Sequence, residues 1–324
     1  MCLGRIDEIP EPGDYFTVQL FTEPLIIVRG EDYEVRVLAN VCRHRASPVA
    51  QGAGNSRRFV CPYHAWSYDL NGNLRSASRM PKEMVAGLCL PSYRTEIWQG
   101  FLYVNLDGSA APLSQQLSKL EDRIAPYRPA EFRTFHTAEK LWQANWKSVV
   151  ENFLEAYHLS VVHSATLNDY TPTGLAKKFD GGAAFTGYCA HYPKNAASRG
   201  EGAPHLSAEK RRCSTLFSVF PCHLVSQAAS LLASFSLIPL SSSQTQVRWS
   251  LSAYADDLTE SLKADRITLW SKVNDEDQER LEATQLGIGS RFAEAGPIAP
   301  EHLEGTIADF HDYLVSHNRY TAIT

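Results

Sequence analysis

Cys42-Arg-His44 and Cys61-Pro-Tyr-His64 are the two short segments that decide the fold of the first third of this 324-residue chain. Each segment carries one cysteine and one histidine, and sixteen residues separate His44 from Cys61. Two loops that each contribute a thiolate and an imidazole must meet in space before they complete a set of four metal ligands. The spacing therefore predicts a metal site formed by two neighbouring loops.

Two kinds of metal centre fit this set of ligands. Two cysteines and two histidines bind a zinc ion tetrahedrally. They also bind a Rieske [2Fe–2S] cluster, in which the cysteines hold one iron and the histidines hold the other. Because each loop gives one ligand of each type, the arrangement favours the cluster, whose two irons lie side by side between the loops. The remaining cysteines lack such partners and are interpreted as ordinary thiols: Cys2, Cys89, Cys189, Cys213 and Cys222.

The sequence around the two loops is typical of a small all-β domain. Short runs rich in β-branched and aromatic residues alternate with Gly, Asp, Asn and Pro, as in an antiparallel barrel or sandwich. The predicted strands are 24–28, 34–38, 58–61 and 100–106. We therefore assign residues 1–110 to a first, all-β domain.

The pattern changes after residue 110. Helical periodicity and strand-rich sequence occur in separate blocks, which predicts an α+β domain with helices packed on an antiparallel sheet. We assign this second domain to residues 111–324, with the polar segment 194–212 as a surface loop. The predicted helices are 113–124, 142–158, 258–282 and 300–317, and the strand-rich parts are 179–192 and 216–254.

Composition excludes several classes of protein. With 44% hydrophobic and 21% charged residues, the chain has enough apolar material for a large core. The net charge of −5 and the lack of a long basic run argue against nucleic-acid binding. The N-terminus lacks the pattern of a signal peptide, and prolines interrupt the longest apolar segment, 218–240. An odd number of cysteines, seven, is typical of a reducing compartment, so we expect a soluble cytoplasmic protein.

A second cluster of ligand-type residues follows Asn145. His158 and His163 are five residues apart, which on a regular helix places them about 140° from each other. A shared metal ion therefore requires the helix to loosen or end between them. Glu155 lies three residues before His158 and on the same helical face, where it can accept a hydrogen bond from that imidazole. From the residues alone, core or surface histidines remain the alternative.

A third ligand is predicted on the acidic helix near the C-terminus. Asp277 lies in the middle of an apolar stripe that includes Val273 and Leu281, whereas Glu276 lies at its edge. A carboxylate on an apolar stripe is costly unless it is paired or bound to metal. Pairing with Arg280 or Arg291 is the alternative. With the two histidines, Asp277 would form the 2-His-1-carboxylate triad of non-haem Fe(II) oxygenases.

Taken together, these positions resemble the oxygenase (alpha) component of Rieske non-haem iron oxygenases. The resemblance covers nearly the whole chain, and its motifs occur in the expected order. Ala65 departs from the family, which usually has glycine there, and we expect the chain to start without the family's customary N-terminal helical segment. The matching segments are Cys42-x-His44-Arg45, Cys61-Pro-Tyr-His64-x-Trp66-x-Tyr68, Asn145-Trp-Lys, Glu151-Asn-x-x-Glu155-x-Tyr-His158-x4-His163 and Glu276-Asp277…Gln285-x-Gly287.

The resemblance implies a Rieske [2Fe–2S] domain followed by a helix-grip catalytic domain with a mononuclear Fe(II). It implies that Glu155 bridges a cluster histidine and an iron-ligand histidine of neighbouring subunits. We also place Asn152 at the iron site, with an ordinary core position as the alternative. O2 is then the co-substrate, in a homotrimer or hexamer. The implied cluster ligands are Cys42, His44, Cys61 and His64, and the implied ligands of the mononuclear iron are His158, His163 and Asp277.

The chain contains no sequence typical of a reductase. The resemblance therefore implies that a separate flavin or iron–sulfur reductase, or a ferredoxin, delivers electrons from NAD(P)H. In having Glu at position 155, the chain resembles the branch of the family that oxidises quaternary amines such as choline, carnitine and betaines. Hydroxylation of an N-methyl group would release formaldehyde. An aromatic cage for the cation is predicted from Phe217, Phe220, Phe235 and Trp249.

Two alternatives remain open at this point. The same ligands serve aromatic-ring mono- and dioxygenases, so ring hydroxylation is the second interpretation. A Rieske electron carrier without oxygenase activity would need only about the first 110 residues. The additional histidines and Asp277 argue against such a carrier.

Overall fold

The computed structural model describes residues 1–197, 199–255 and 257–317. Contacts divide the chain into two compact units, Met1–Ala111 (unit 1) and Pro112–Thr324 (unit 2). Unit 1 consists mainly of short β-strands, and unit 2 combines an antiparallel sheet with helices. The α+β class predicted from the sequence is confirmed. Within the described residues, every helix is too short or too polar to cross a membrane.

Unit 1, in which every residue is described, contains three small antiparallel sheets. Their strand orders are β4-β3-β2-β5, β1-β10-β9 and β6-β7-β8. Strand β3 pairs with a strand on each side. Its residues 25–28 are 0% exposed, so both faces of the strand are covered, which explains its continuous apolar run. The elements are β1 Cys2–Arg5, β2 Asp14–Leu20, β3 Glu23–Arg29, β4 Val35–Ala39, β5 Ala53–Asn55, β6 Phe59–Val60, β7 Ser67–Tyr68, β8 Leu74–Ser76, α1 Lys82–Val85, β9 Arg94–Trp98 and β10 Phe101–Asn105.

Unit 2, in its described residues, is built on a seven-stranded antiparallel sheet with the order β11-β17-β16-β15-β14-β13-β12. The strands are β11 Phe132–Trp142, β12 Ala176–Lys178, β13 Phe185–His191, β14 Cys213–Val219, β15 His223–Gln227, β16 Leu231–Ser241 and β17 Gln244–Tyr254. The helices are α2 Leu113–Gln116, α3 Ser118–Ile124, α4 Trp146–Leu154, α5 Leu159–Val162, α6 Ala208–Arg211, α7 Glu260–Ile288 and α8 Glu301–His317.

The predicted helix 142–158 is much shorter in the structure. Trp142 is the last residue of β11, and Asn145 caps the new helix by accepting a hydrogen bond from the Lys147 amide at 2.9 Å. An asparagine in this position satisfies an amide that has no partner within the helix, which fixes the start of α4. The helix then ends at Leu154, and Glu155 has an extended backbone.

Two other expectations also need correction. The predicted helix 113–124 is divided at Leu117 into α2 and α3. The segment 194–212 is not simply a surface loop, because Arg199, Ala203 and Leu206 in it are buried. Its Gly, Ala and polar residues gave the composition of an exposed loop, but the apolar members pack inward.

Candidate metal centres

The two cysteine–histidine loops of unit 1 have the same backbone arrangement. In each, the amide of the alanine four residues after the cysteine donates to the cysteine carbonyl at 3.0 Å, from Ala46 to Cys42 and from Ala65 to Cys61. The two cysteine amides donate to carbonyls five residues later, at 2.9 and 2.8 Å. Both alanines have left-handed backbone angles, with φ of 60° and 57°. The main chain thus holds both loops in one shape that places a cysteine and a histidine side by side.

The two histidines of these loops face each other. The Nδ1 atoms of His44 and His64 are 3.1 Å apart, and both residues are exposed. The His44 ring stacks on Trp66, with ring centroids 4.9 Å apart and planes 8° from parallel. The Trp66 side chain therefore fixes the orientation of the His44 ring, and two Nδ1 atoms are presented together.

The two cysteines lie deeper in the same place. Cys42 and Cys61 are both buried, at 3% and 2% exposed. Burial by itself raises the pKa of the Cys61 thiol, but the Tyr63 and His64 amides donate to the sulfur and lower that pKa overall. Backbone donors around a sulfur stabilise its thiolate form, which is the form that binds metal.

A tyrosine hydroxyl supports the other sulfur. The Tyr68 oxygen accepts from the Arg43 amide at 2.9 Å and lies 3.3 Å from the Cys42 sulfur. Burial, together with the Cys42 sulfur, raises the pKa of Tyr68, so the hydroxyl keeps its proton. Since the Tyr68 oxygen already accepts a hydrogen bond from the Arg43 amide, the hydroxyl proton points to the sulfur of Cys42.

The ligand positions in unit 1 fit two metal ions better than one. In the described parts of the chain, the only three Cys, His, Asp or Glu ligand atoms lying within 4.8 Å of one another belong to His158, His163 and Asp277. The four loop ligands therefore form a buried sulfur pair and an exposed nitrogen pair. A tetrahedral zinc ion would bring all four ligand atoms within about 4 Å of each other. A two-iron cluster, with sulfur on one iron and nitrogen on the other, matches the observed pairs.

The second centre lies in unit 2. The Nε2 atoms of His163 and His158 lie 3.0 and 3.6 Å from the same carboxylate oxygen, Asp277 Oδ1. The two imidazole rings are 5.1 Å apart between centroids. His163 is 1% exposed, and the Oδ1 atom of Asp277 is fully buried. Two histidines and one carboxylate thus converge on one small volume.

The outer nitrogen of each histidine is bound by a separate carboxylate. His158 Nδ1 contacts Glu155 Oε1, and His163 Nδ1 lies 2.8 Å from Glu276 Oε2. Glu276 also accepts a hydrogen bond from the Thr166 hydroxyl at 2.7 Å. A carboxylate at Nδ1 keeps the proton on that nitrogen and leaves the lone pair of Nε2 pointing inward.

The inward-pointing atoms require a positive charge between them. Two Nε2 lone pairs and the Asp277 carboxylate are all acceptors, and no hydrogen-bond donor reaches Asp277 Oδ1 in the described structure. Burial lowers the pKa of His163, but Asp277 and Glu276 outweigh burial and raise it overall, so their charges favour a positive charge at this position. The residues therefore fit a divalent metal ion.

Local structure explains how the two histidines reach this position. The helix ends before His158 rather than between the histidines, and the two residues flank the single turn α5, with His158 as its N-cap and His163 as its C-cap. Glu155 is held in place because its Oε2 accepts from the Tyr157 and His158 amides. The Tyr188 hydroxyl donates to the Glu155 carbonyl at 3.3 Å.

Asp277 comes from the inner face of α7, between the buried Val273 and Leu281. Neither arginine considered as its partner pairs with it: Arg280 pairs with Glu279, and Arg291 lies over Phe292. Glu276 is the functional residue that the sequence analysis missed. Its signals in the sequence are its place at the edge of the stripe, directly before Asp277, and its occurrence in the Glu276-Asp277 segment that resembles the family.

Contacts support the predicted position of Asn152 at the iron site less than they support the three candidate ligands. Asn152 is partly buried on α4, three residues before Glu155, and within the described residues no hydrogen bond joins it to the histidines or Asp277. A role at the iron site therefore stays a prediction.

The four-residue aromatic cage predicted from the sequence is wrong. Phe217 pairs with Val225 and Phe235 pairs with the adjacent Leu224, so the two phenylalanines lie on opposite faces of the sheet. Phe220 packs against Phe310, whereas Trp249 is the direct cross-strand neighbour of Phe235 and also contacts His136. Phe235 instead lies 5.8 Å, between ring centroids, from both Phe153 of α4 and Trp270 of α7.

Comparison with known families identifies the class of protein. The model of the ring hydroxylating alpha subunit (catalytic domain) matches residues 124–318, and the model of the Rieske [2Fe-2S] domain matches residues 1–94. The chain belongs to the family of ring-hydroxylating alpha subunits, with a Rieske [2Fe-2S] domain ahead of the catalytic domain.

Two curated relatives point to different substrates. The glycine betaine monooxygenase oxygenase subunit of Chromohalobacter salexigens is 37% identical over 169 residues, which is 51% of this chain and 38% of that protein. The 2-aminobenzenesulfonate 2,3-dioxygenase subunit alpha of Alcaligenes sp is 30% identical over 263 residues, 76% of this chain and 66% of that protein. This chain thus spans well under half the length of the betaine relative.

Solved structures agree on the fold. The quaternary ammonium Rieske monooxygenase CntA, in complex with its substrate L-carnitine, superimposes with a TM-score of 0.81 at 23% sequence identity. The match covers 98% of this chain and 87% of that one. At this level of identity the similarity establishes the fold, which is that of the Rieske oxygenases.

Proposed function

We propose that this chain is the terminal oxygenase of a Rieske system that uses O2 and external electrons to hydroxylate a small organic substrate. The observation that carries the proposal is the convergence of His158 Nε2, His163 Nε2 and Asp277 Oδ1, with each outer imidazole nitrogen held by a carboxylate. Three protein ligands on one side of a metal ion leave positions open for other ligands, as in non-haem Fe(II) oxygenases.

The four loop ligands of unit 1 would hold a Rieske cluster, and the triad would hold one Fe(II). When bound, these groups store and transfer electrons and activate O2. The protein's own contribution is to orient the ligands. Trp66 and the Tyr68 hydroxyl support the cluster loops, while Glu155 and Glu276 keep a proton on the outer nitrogen of each iron-site histidine.

Glu155 is the proposed link between the two centres. A carboxylate has about four lone-pair sites, and three groups inside the chain already bind this one: the His158 ring and the amides of Tyr157 and His158. The remaining site on Oε1 can accept from a cluster histidine. We place that histidine on a neighbouring subunit of a homotrimer or hexamer, because His44 and His64 are exposed.

A quaternary or tertiary amine is the proposed substrate. The betaine relative supports it. Phe153 of α4, Phe235 of β16 and Trp270 of α7 pack together and are aromatic rings of the kind that bind a cation. Hydroxylation of an N-methyl group consumes one O2, two electrons and two protons and gives a carbinolamine and water. The carbinolamine then releases formaldehyde. The electrons would come from NAD(P)H through a separate flavin or iron–sulfur reductase or a ferredoxin.

Aromatic-ring oxidation is the second candidate, because the relative that matches the larger share of this chain is an aminobenzenesulfonate dioxygenase subunit. The two candidates differ in their product. Purified protein is assayed with a Rieske-type reductase, NADH and O2 on L-carnitine, glycine betaine, choline and 2-aminobenzenesulfonate. We expect formaldehyde from a methylamine. A hydroxylated ring product without formaldehyde would replace the amine proposal with the aromatic one.

Metal content tests the oxygenase class independently of the substrate. We expect three iron atoms and two acid-labile sulfides per chain, two irons from the cluster and one from the triad. Zinc in unit 1 and no sulfide would contradict the Rieske assignment. Two irons and two sulfides with no third metal would favour a simple electron carrier.

A further inference from the structure

Two cysteines of unit 2 belong to one polar cluster on the sheet. Cys189 of β13 is paired in register with Thr215 of β14, and Cys213 lies two residues before Thr215, so all three point to the same face. The Thr215 hydroxyl lies 3.9 Å from the Cys189 sulfur and 3.2 Å from the Tyr127 hydroxyl. The Tyr127 hydroxyl in turn lies 3.7 Å from the Cys213 sulfur. The cluster is on the face opposite Tyr188, whose hydroxyl supports the loop of the candidate iron site.

Positively charged side chains surround Cys189. Nη1 of Arg123 in α3 lies 3.9 Å from the Cys189 sulfur, and Lys177 of β12 is directly opposite Cys189 in the sheet. Lys210 of α6 donates to the Arg123 carbonyl at 2.8 Å, and His191 follows Cys189 by two residues on the same face. In the described parts of the chain, no aspartate or glutamate forms an ion pair with Arg123, Lys177 or Lys210. A thiolate at Cys189 can supply a negative charge among these cations.

The two cysteines differ in their surroundings. Cys189 is partly exposed, whereas Cys213 is 3% exposed and its thiol lies 3.9 Å from the Lys210 carbonyl, an acceptor that favours the protonated form. The Cys213 thiol, the Thr215 hydroxyl and the Arg123 charge lower the pKa of Cys189 to about 6, although burial raises it. A cysteine reacts through its thiolate, which forms in electropositive and partly exposed places. Cys189 is therefore the reactive member of the pair.

We propose that Cys189 is a modification site, at which a peroxide oxidises the sulfur to a sulfenic acid. The thiolate attacks one oxygen of hydrogen peroxide, so that an S–O bond forms and the O–O bond breaks. Hydroxide leaves with the electron pair of the broken bond and takes a proton from solvent to give water. The sulfur loses two electrons, and the peroxide gains them. Hydrogen peroxide is small and uncharged, so it can reach a partly buried sulfur between cations.

An exposed cysteine in unit 1 provides an internal comparison. Cys89 is the exposed thiol of the chain, so accessibility alone would make it react before Cys189. Oxidised holoenzyme, without substrate or reductant, is alkylated with iodoacetamide at pH 6 and pH 8.5, and each cysteine is followed by peptide mass spectrometry. Between these pH values the rate for an ordinary thiol, with a pKa of about 8.5, rises on the order of 100-fold. We expect this steep rise for Cys89 and only about a twofold rise for Cys189.

The peroxide step is tested on the same protein. One equivalent of hydrogen peroxide is added together with dimedone, which traps sulfenic acids. We expect the dimedone adduct on Cys189 to exceed that on Cys89 at least fivefold, and Cys189→Ser to remove it without changing the cluster absorption spectrum.

Arg123 variants test the role of the cations. Arg123→Met should lower the alkylation rate of Cys189 at pH 6 by about fivefold, because the thiolate loses its nearest charge, whereas Arg123→Lys should stay within about twofold of wild type. Arg291→Met is the matched control, since Arg123 and Arg291 both lie over a phenylalanine ring. The thermal midpoint of each variant reports on folding.

Three results would overturn the inference. A rate for Cys189 that rises with pH as steeply as that for Cys89 would show that its thiolate is not stabilised. A dimedone adduct that forms on Cys89 in preference to Cys189 would show that peroxide does not select this site. An unchanged pH 6 rate in folded Arg123→Met would show that the surrounding charge does not activate the sulfur.

Discussion

The two candidate metal centres of this chain are built in opposite ways. In unit 1, the four ligands lie between residues 42 and 64, on two loops held by the same backbone hydrogen bonds. In unit 2, Asp277 is more than one hundred residues from the histidines, and side-chain carboxylates orient the ligands. One centre is therefore a property of local sequence, and the other is a property of tertiary packing.

This difference predicts different responses to mutation. Backbone hydrogen bonds survive most side-chain changes, so the geometry of the cluster loops should depend mainly on which backbone angles each residue tolerates. At the iron site the orientation of each histidine depends on one carboxylate side chain. Single substitutions there should act strongly on one centre and leave the other intact.

The largest effect is expected from Asp277→Ala. Loss of the shared carboxylate leaves two histidines that face an incomplete site, so the mononuclear iron should be lost and turnover should fall below detection. The cluster, which uses only unit 1 residues, should remain. Iron and sulfide analysis should give two irons and two sulfides per chain with an unchanged visible spectrum. Turnover within tenfold of wild type would contradict the assignment of Asp277. Asp275→Ala, which alters an exposed residue paired with Lys140, is the matched control.

A smaller effect is expected from Glu276→Gln. The amide keeps an oxygen near His163 Nδ1 but loses the charge that makes this imidazole a stronger ligand, and such outer partners typically contribute 10–100-fold in metal affinity. We expect iron affinity to fall by about that range while saturating iron restores most of the turnover. Competition with a chelator measures the affinity. If the affinity is unchanged, the contact of Glu276 with His163 has no role in holding the metal.

The smallest effect is expected in the cluster loops. Ala46 and Ala65 have left-handed backbone angles that cost an alanine about 1–2 kcal/mol and a glycine little. Replacing either alanine by glycine should stabilise unit 1 by about 0.5–1 kcal/mol and raise its unfolding midpoint by roughly 2–4 °C. Ala53→Gly, in β5 and outside the left-handed residues, should destabilise it slightly. Equal effects of all three substitutions in calorimetry would show that backbone strain in the loops is unimportant.

The contrast between the centres also explains what the sequence could predict. The candidate cluster ligands were predicted from their spacing, because both loops are short and each carries a complete Cys–His pair. That pairing already favoured a cluster over zinc, and the structure, in which sulfur and nitrogen atoms separate into two pairs, agrees with this choice. The stripe on α7 and the family resemblance together selected Asp277 as a candidate.

The errors have physical causes that a one-dimensional pattern does not contain. Glu276 contacts His163 because the imidazole rotates its Nδ1 toward the edge of α7, and helical periodicity says nothing about that rotation. The predicted aromatic cage failed because Phe217 and Phe235 lie on opposite faces of the sheet. Arg199 was placed in a surface loop because polar and small residues surround it in the sequence.

The most direct test of the central claim, that the two centres act together through Glu155, is a single turnover followed by rapid freezing. Protein with both centres reduced is mixed with O2 and the compound that gives product in the steady-state assay, and cluster oxidation and product are measured in the same samples. We predict that wild type oxidises its cluster as fast as product forms, with one product per mononuclear iron. Glu155→Ala should retain all three irons while its cluster stays reduced at least 100 times longer. Cluster oxidation in Glu155→Ala at the wild-type rate, with product formed, would contradict the account.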